Sequence, residues 1–239
     1  MLLAIDIGNT NVTCGVHDKK KWVHTLRLPS TLDFWNLFSS LNEFKISRVA
    51  ISSVVPALTS VYVESVRNIF HLDAHIISPD NAGIELMVDS PNEVGTDRIC
   101  NVAAVKALGK LPAIVGDIGS ATNYDVVDKN GAFIGGAIAP GIETAAQHLI
   151  EKAALLKETA LVLPPKAIGT NTEANLQSGI MLGAVDLVDG MFQRIIYETN
   201  WKNYHIFVTG GFGKLLSPHL KTKHTLSPTL TLDGIRQLA

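Results

Sequence analysis

Leu2-Leu3-Ala4-Ile5-Asp6-Ile7-Gly8-Asn9-Thr10-Asn11-Val12 opens the chain and decides how the rest is read. It predicts a buried strand, a tight turn and a returning strand. Ile5 and Ile7 flank a single carboxylate, Asp6. A charge among β-formers is costly to bury unless it binds something. Gly8 lets the backbone turn and lets a ligand approach closely. Asn9, Thr10 and Asn11 place donors at the tip. A carboxylate for a metal ion beside donors for phosphate oxygens suits nucleotide chemistry. An ordinary hairpin with an Asn-rich turn is the other reading of the same residues.

The pattern returns in Ile114-Val115-Gly116-Asp117-Ile118-Gly119-Ser120-Ala121-Thr122-Asn123. Laid one on the other without gaps, Asp6 meets Asp117, Gly8 meets Gly119, Val16 meets Val127 and Trp22 meets Phe133. Two hairpins with one turn chemistry imply a duplicated domain. Two facing Asp-x-Gly turns would clamp a phosphate chain and its metal from both sides.

At 239 residues, 46% of them apolar, the chain is long enough for one large or two small cores. A net charge of −2 gives no support to nucleic-acid binding, which favours a basic face. Cys14 and Cys100 have no metal-type spacing and read as small buried groups in a reducing compartment. The N-terminus lacks the basic flank and cleavage site of a signal peptide, and Leu2 to Ile7 is too short to span a bilayer. The expectation is a soluble, cytoplasmic protein with no nucleic-acid or membrane partner.

Strands are predicted near 2–7, 11–17 and 22–28, with Asp18-Lys19-Lys20-Lys21 as a solvated turn. Thr31 is expected to cap a helix over Leu32 to Asn42, with Asp33 in its first turn. Ile46 to Val55 reads as a strand that ends at Ser52 and Ser53, Pro56 to Phe70 as a helix and Ala74 to Ile77 as a strand. The order βββαβα(β) makes a mixed α/β unit. Ser78 to Val94 reads as a loop with a short strand near Ile84 to Val88. Asp97 to Leu108 reads as a helix closed by Gly109 and Pro112. The second half repeats the order, with strands near 113–118, 122–128 and 132–138. A helix over Gly141 to Leu156, an exposed connection over 157–172, a long helix over Glu173 to Asn200, a strand near 205–209 and a helix over Leu230 to Leu238 follow. The domains are therefore expected at 1–110 and 111–239.

Val94-Gly95-Thr96-Asp97-Arg98 is the second informative stretch. An Asp in a first helical turn complements the helix dipole, and Arg98 could simply pair with it. At the junction of two lobes the same pair has a second reading. The carboxylate could accept a hydroxyl proton and the Arg could hold an anionic substrate. Gly135-Gly136-Ala137-Ile138-Ala139-Pro140-Gly141 leads into a helix N-terminus, which attracts anions, or is a crowded turn. His148 reads as a half-buried histidine, and Thr172 as a helix cap that could also face a substrate. Thr209-Gly210-Gly211 ends a strand. No Walker P-loop and no Rossmann fingerprint is present.

Taken in order, Asp6-Ile7-Gly8-Asn9-Thr10-Asn11, Val94-Gly95-Thr96-Asp97-Arg98, Asp117-Ile118-Gly119-Ser120-Ala121-Thr122, Gly136-Ala137-Ile138-Ala139-Pro140-Gly141 and Thr209-Gly210-Gly211 resemble type III pantothenate kinase. So do Gly169-Thr170-Asn171-Thr172 and Gln177-Ser178-Gly179. The resemblance spans nearly the whole chain. It implies an α/β fold of duplicated ribonuclease-H-like (actin-type, ASKHA) domains, each a mixed sheet with flanking helices. It also implies ATP-dependent phosphorylation of pantothenate, the first step of coenzyme A synthesis. Carried over, Asp6, Ile7, Gly8, Asn9, Thr10, Asn11, Val12 and Thr13 would hold ATP, with Asp6 near Mg²⁺. Asp97 would be the general base, Gly95, Thr96, Asp97 and Arg98 would line the pantothenate site, and Thr172 would contact pantothenate. Asp117 would bind a monovalent cation, K⁺ or NH₄⁺. Ser120 stands where the family usually has Thr as an ATP contact, and Val88 where some relatives have a Tyr near the substrate. A homodimer is implied as well. The rival readings are an actin-type kinase for another small hydroxy acid and a non-catalytic transcription accessory relative.

Overall fold

The computed structural model describes residues 1–30, 38, 40, 41 and 43–239. The helix expected over Leu32 to Asn42, with Thr31 as its cap, lies outside the described residues apart from Phe38, Ser40 and Leu41. The first strands are β1 (Leu2–Ile7), β2 (Asn11–His17), β3 (Trp22–Pro29) and β4 (Arg48–Ser53), followed by α1 (Pro56–Phe70), β5 (Ala74–Ile76) and α2 (Thr96–Ala107). Next come β6 (Ala113–Ile118), β7 (Ala121–Val127), β8 (Phe133–Pro140), α3 (Ile142–Lys152), α4 (Thr172–Gln177) and α5 (Gly183–Thr199). The chain closes with β9 (His205–Thr209), α6 (Gly213–Leu216), β10 (Thr225–Leu226) and α7 (Leu230–Leu238).

Two five-stranded sheets form, in the orders β3-β2-β1-β4-β5 and β10-β9-β6-β7-β8. Read from the other edge, the second is the first repeated. In both, the first strand of the repeat pairs in parallel with the strand three places on in chain order: β1 with β4, and β6 with β9. The edge strands β5 and β10 add in parallel outside them. The duplication expected from the sequence is thus present as topology. The gapless register is not kept throughout. The first turn closes through Gly8 N–H to Asn11 O, the second through Gly119 N–H to Ala121 O, which is one residue tighter. Val16 therefore corresponds to Val126, not Val127, as their places in β2 and β7 show. The next turn is one residue longer in the second copy and restores the match of Trp22 with Phe133. Both of those turns are held by an aspartate that accepts backbone N–H groups: Asp18 from Lys20 and Lys21, Asp128 from Asn130 and Ala132.

The chain divides into two compact units, Met1–Leu111 with Val127–Gly135 and Thr229–Ala239, and Pro112–Val126 with Gly136–Pro228. The C-terminal helix thus belongs to the first unit, whereas a boundary at 110 assigns it to the second half. In the first unit the strand alternation of β1 sends its residues to two sides. Leu3, Ile5 and Ile7 pack with Leu58, Tyr62 and Val66 of α1. Leu2 and Ala4 pack with Ile99 and Cys100 of α2 and Leu232 and Ile235 of α7. This is why α7 joins the first unit. Gly234 lets α7 lie directly on α2, since a Cβ there would run into the Cys100 backbone.

In the second unit Ile114, Ile118 and Tyr124 pack with Val188, Phe192 and Ile195 of α5. Gly116 admits the Phe192 ring, which a Cβ would meet at 2.6 Å. The expected long helix is one run of helix with a π-helical turn at Ser178–Leu182 between α4 and α5. It ends at Asn200, which is left-handed (φ 51°). α3 stops at Lys152 rather than near Leu156. α6 and β10 were not expected from the sequence, being too short to show a period.

Candidate active site

Asp6 follows Leu2 and Ala4 on the α2 side of the first sheet, at the carboxyl end of β1. It pairs across β2 with Thr13 and across β4 with Ser52, so the three side chains share one face. The Ser52 hydroxyl donates to Asp6 Oδ1 at 3.0 Å. It also shares a 3.0 Å hydrogen bond with Thr96 Oγ1. Thr96 Oγ1 in turn accepts the Ser53 backbone N–H at 2.9 Å, and with the Ser52 proton on Asp6 its own proton is shared between Ser52 Oγ and the Ser53 carbonyl, 3.1 Å away. A chain of hydroxyls therefore ties the Asp6 carboxylate to the first residue of α2. Ser52 is fully buried and Thr96 nearly so. The Thr96 side chain is committed to β4, and what it offers outward is backbone.

The turn above Asp6 is built by backbone. Gly8 N–H donates to Asn11 O, and the Ser30 hydroxyl donates to Gly8 O at 2.6 Å. A Cβ on Gly8 would press on Asn11 O at 3.1 Å. Ile7 and Val12 are buried, while Asn9 and Thr10 are exposed at the tip and Asn11 and Thr13 are partly exposed. Only the polar residues of the predicted phosphate-binding stretch therefore reach the surface with their side chains.

Gly95 is the N-cap of α2, and a Cβ there would strike the Asp97 carboxylate. Asp97 Oδ1 accepts the Arg98 backbone N–H at 2.9 Å. Burial pushes the Asp97 carboxyl above the usual range, opposed by that hydrogen bond and by the Arg98 charge. A raised carboxyl is a stronger base. The Arg98 guanidinium carbon lies 5.0 Å from the centroid of the Phe133 ring. Arg98 is thus seated on an aromatic face rather than offered only as the helix-start partner of Asp97. Sequence reasoning missed this contact, because Phe133 lies far along the chain and carries no polar signal. Val88 is partly buried in the segment that bridges to Phe133 through Leu86.

In the second unit Asp117 occupies the same place on β6 that Asp6 has on β1. Gly210, left-handed at φ 88°, passes so close that a Cβ would sit 2.5 Å from Asp117 Oδ1. The Ser120 carbonyl accepts the Gly141 N–H at 3.1 Å and the Thr144 hydroxyl at 2.7 Å. A Cβ on Gly141 would collide with the Gly119 and Ser120 carbonyls. The Gly-rich stretch is therefore a crowded turn that fixes Ser120. Thr172 is exposed and does not cap its helix; Asn171 Oδ1 does, accepting the Ala174 N–H at 2.8 Å. A cap thus no longer accounts for Thr172. His148 is exposed, not half-buried. An apolar cavity of about 480 Å³ opens between α3 and the α4–α5 run, lined by Ile142, Leu149, Gly179, Gly183 and Leu187 among others. It holds none of the residues expected to bind a ligand.

Among the described residues no cluster of three or more His, Cys, Asp or Glu side chains could hold a metal ion by itself. A lone carboxylate such as Asp6 still fits Mg²⁺, which is usually held by one or two carboxylates together with substrate phosphates. No helix of the described residues is long and apolar enough to cross a membrane.

The sequence profile of the type III pantothenate kinases matches residues 2–194. The chain belongs to the type III pantothenate kinase family. A type III pantothenate kinase of Thermomicrobium roseum is 41% identical over 99% of this chain and 95% of its own. The fold is shared more widely. A crystal structure described as a candidate Baf family transcriptional activator of Campylobacter jejuni superposes with a TM-score of 0.63 at 21% identity, covering 99% of this kinase-family chain and 96% of the other. One described as a candidate 2-dehydro-3-deoxygalactonokinase of Sinorhizobium meliloti gives 0.61 at 12% identity, covering 100% and 95%. At those identities the likeness is one of fold. The two mixed sheets with flanking helices are the duplicated actin-type arrangement.

Proposed function

We infer that this chain phosphorylates pantothenate with ATP, giving 4'-phosphopantothenate at the first step of coenzyme A synthesis. The observation that carries the mechanism is Asp97, a carboxylate whose ionised form is disfavoured by burial and which is anchored at the start of α2. Its carboxylate takes the proton of the pantothenate hydroxyl. The freed oxygen bonds to the γ-phosphorus in line as the bond from that phosphorus to the β–γ bridging oxygen breaks, and ADP leaves. Asp6 and the turn through Thr13 take the ATP phosphates, with Ser120 a further ATP contact. Asp6 would hold Mg²⁺, which when bound neutralises charge developing on the phosphates.

Gly95 and Arg98 line the pantothenate site, Arg98 taking the carboxylate in fork geometry. Thr96 contributes backbone, and Thr172 contacts pantothenate. Val88 cannot donate the hydrogen bond that a Tyr would. Asp117 holds the monovalent cation, K⁺ or NH₄⁺; the close passage of Gly210 supports a site shaped around that carboxylate. We place the protein in the cytoplasm as a homodimer. Leu149 and Leu187, 45% and 43% exposed at the apolar cavity, support a partner surface there. The test is product formation by the purified chain with Mg²⁺-ATP and pantothenate in K⁺, NH₄⁺ and Na⁺. Phosphopantothenate formed faster in K⁺ or NH₄⁺ supports the reading. Absence of product with every cation would refute the activity, and equal rates would remove the cation from Asp117.

A further inference from the structure

Ser52 is fully buried, yet its side chain ends on a carboxylate. An ionised carboxylate only accepts, so the single Ser52 proton goes to Asp6 Oδ1, 3.0 Å away. The serine oxygen is itself held. Thr96 Oγ1 lies 3.0 Å from it, and Thr96 is fixed in turn by the Ser53 backbone N–H. The backbone on either side is equally set. Asp6 pairs with Ser52 and Ile7 with Ser53 in the parallel ladder of β1 and β4, and the Val54 N–H closes on Ile7 O at 3.0 Å. Ser52 is therefore clamped between β1 and the first residue of α2. An aspartate has two side-chain torsions to settle, and one oxygen pinned to a buried hydroxyl settles them. Facing phosphate oxygens, an untethered carboxylate would turn away from the like charge. The repeat carries a hydroxyl at the same register: Asp117 of β6 pairs in parallel with Thr209 of β9, and Thr209 is 1% exposed. Packing alone would favour an apolar residue at either place, because burying a hydroxyl is costly unless it is bonded.

We propose that Ser52 is a positioning residue, which holds the Asp6 carboxylate in place for the divalent cation of a bound nucleoside triphosphate. This rests on the reading of Asp6 as the residue that holds Mg²⁺ with ATP. Ser52 is too deeply buried to touch a ligand and acts only through Asp6, with Thr96 as the support behind it. Hydrogen-bonded groups behind a metal-binding carboxylate typically contribute about 10- to 100-fold to metal affinity.

The test is calorimetric titration of the full chain with the β,γ-imido analogue of ATP, once in excess Mg²⁺ and once with the metal chelated. By linkage, the ratio of the two Kd values is the protein's own contribution to metal affinity. The proteins are wild type, Ser52→Ala, Thr96→Val, Asp6→Asn and the double variant of Asp6→Asn with Ser52→Ala. Ser52→Ala should weaken binding of the Mg²⁺ complex about 10- to 100-fold and binding of the metal-free analogue less than about twofold. In the Asp6→Asn background the same change should cost less than about twofold, since the group it acts through is gone. Thr96→Val leaves Ser52 in place and should weaken the Mg²⁺ complex by more than about threefold but less than Ser52→Ala does. It decides the matter if Ser52→Ala does not fold. Equal losses with and without Mg²⁺ would make Ser52 a packing element and overturn the proposal. So would an unchanged affinity for the Mg²⁺ complex in Thr96→Val, or a full loss on adding Ser52→Ala to Asp6→Asn. A wild type that binds the analogue equally well with and without Mg²⁺ would remove the cation from Asp6 and overturn the proposal while leaving the nucleotide site standing. A wild type that binds neither form would overturn the ATP reading and the proposal with it.

Discussion

Thr96→Val should cost the first unit about 2–3 kcal/mol. Valine keeps the shape of the side chain and removes only the hydroxyl. That oxygen accepts the Ser53 N–H at 2.9 Å, and its one proton is shared between Ser52 Oγ at 3.0 Å and Ser53 O at 3.1 Å. A buried donor left without a partner costs about 1–3 kcal/mol, and each lost bond about 0.5–1.5 kcal/mol net. The Ser53 N–H is the group stranded; Ser52 keeps its bond to Asp6. Removal of the threonine's own buried hydroxyl offsets part of the sum. For a chain of this size about 2–4 °C of melting temperature accompanies each kcal/mol, so the midpoint should fall by roughly 4–12 °C. Urea unfolding at constant slope gives the free energy directly. Thr96→Ser retains the oxygen and should lose well under half as much. The double variant with Ser52→Ala should lose less than the two singles together, because both act on one chain of hydroxyls. A Thr96→Val protein within about 0.5 kcal/mol of wild type, or strict additivity with Ser52→Ala, would refute the idea that this chain couples Asp6 to α2.

Acid should weaken the first unit through His17. Its Nδ1 accepts the Lys19 backbone N–H at 3.0 Å, and burial, then the Arg236 charge, holds its pKa below 6.5, against a smaller opposing pull from Asp18 and Asp233. The unfolded chain then binds the proton more readily, so this contribution is fully present above pH 6.5 and lost as pH falls through and below that value. His17→Gln should flatten the urea stability of the protein between pH 7.5 and 5.5, and an unchanged slope would exclude His17. Gly234→Ala must push α7 off the Cys100 backbone and should destabilise by about 3 kcal/mol in the same assay; an unchanged midpoint would contradict the close packing. Gly141→Ala should raise the KM for ATP severalfold with a smaller change for pantothenate, because the added carbon displaces the Gly119–Ser120 carbonyls; an unaltered KM would detach this turn from the nucleotide.

The sheet strands were readable because their periods and turns are strong. Leu2 to Ile7 and His205 to Thr209 fall where the apolar runs placed them. The repeat was legible through its two Asp-Ile-Gly cores, yet its register slipped at Val16, because a one-residue difference between turns is silent in a gapless overlay. Which helix covers which face was not legible. α7 lies directly on α2 because Gly234 permits close approach, and nothing local announces that. Of the candidate site, Asp6 and Asp97 stood out as charges in unusual places. Their link through Ser52 and Thr96 depends on β4 lying beside β1, a long-range pairing. The pairing of Arg98 with Phe133 and the cap at Asn171 rather than Thr172 depend likewise on contacts that spacing alone does not fix.

The most direct test of the central claim is kcat for phosphopantothenate formation by Asp97→Asn beside wild type, with Mg²⁺-ATP and K⁺ saturating. Asparagine keeps the shape and the acceptor oxygen for the Arg98 N–H but cannot take a proton. The account predicts a fall of about 10²- to 10⁴-fold in kcat, with the KM values for ATP and pantothenate changed only severalfold. A variant that turns over at the wild-type rate would contradict it and remove Asp97 from the chemistry.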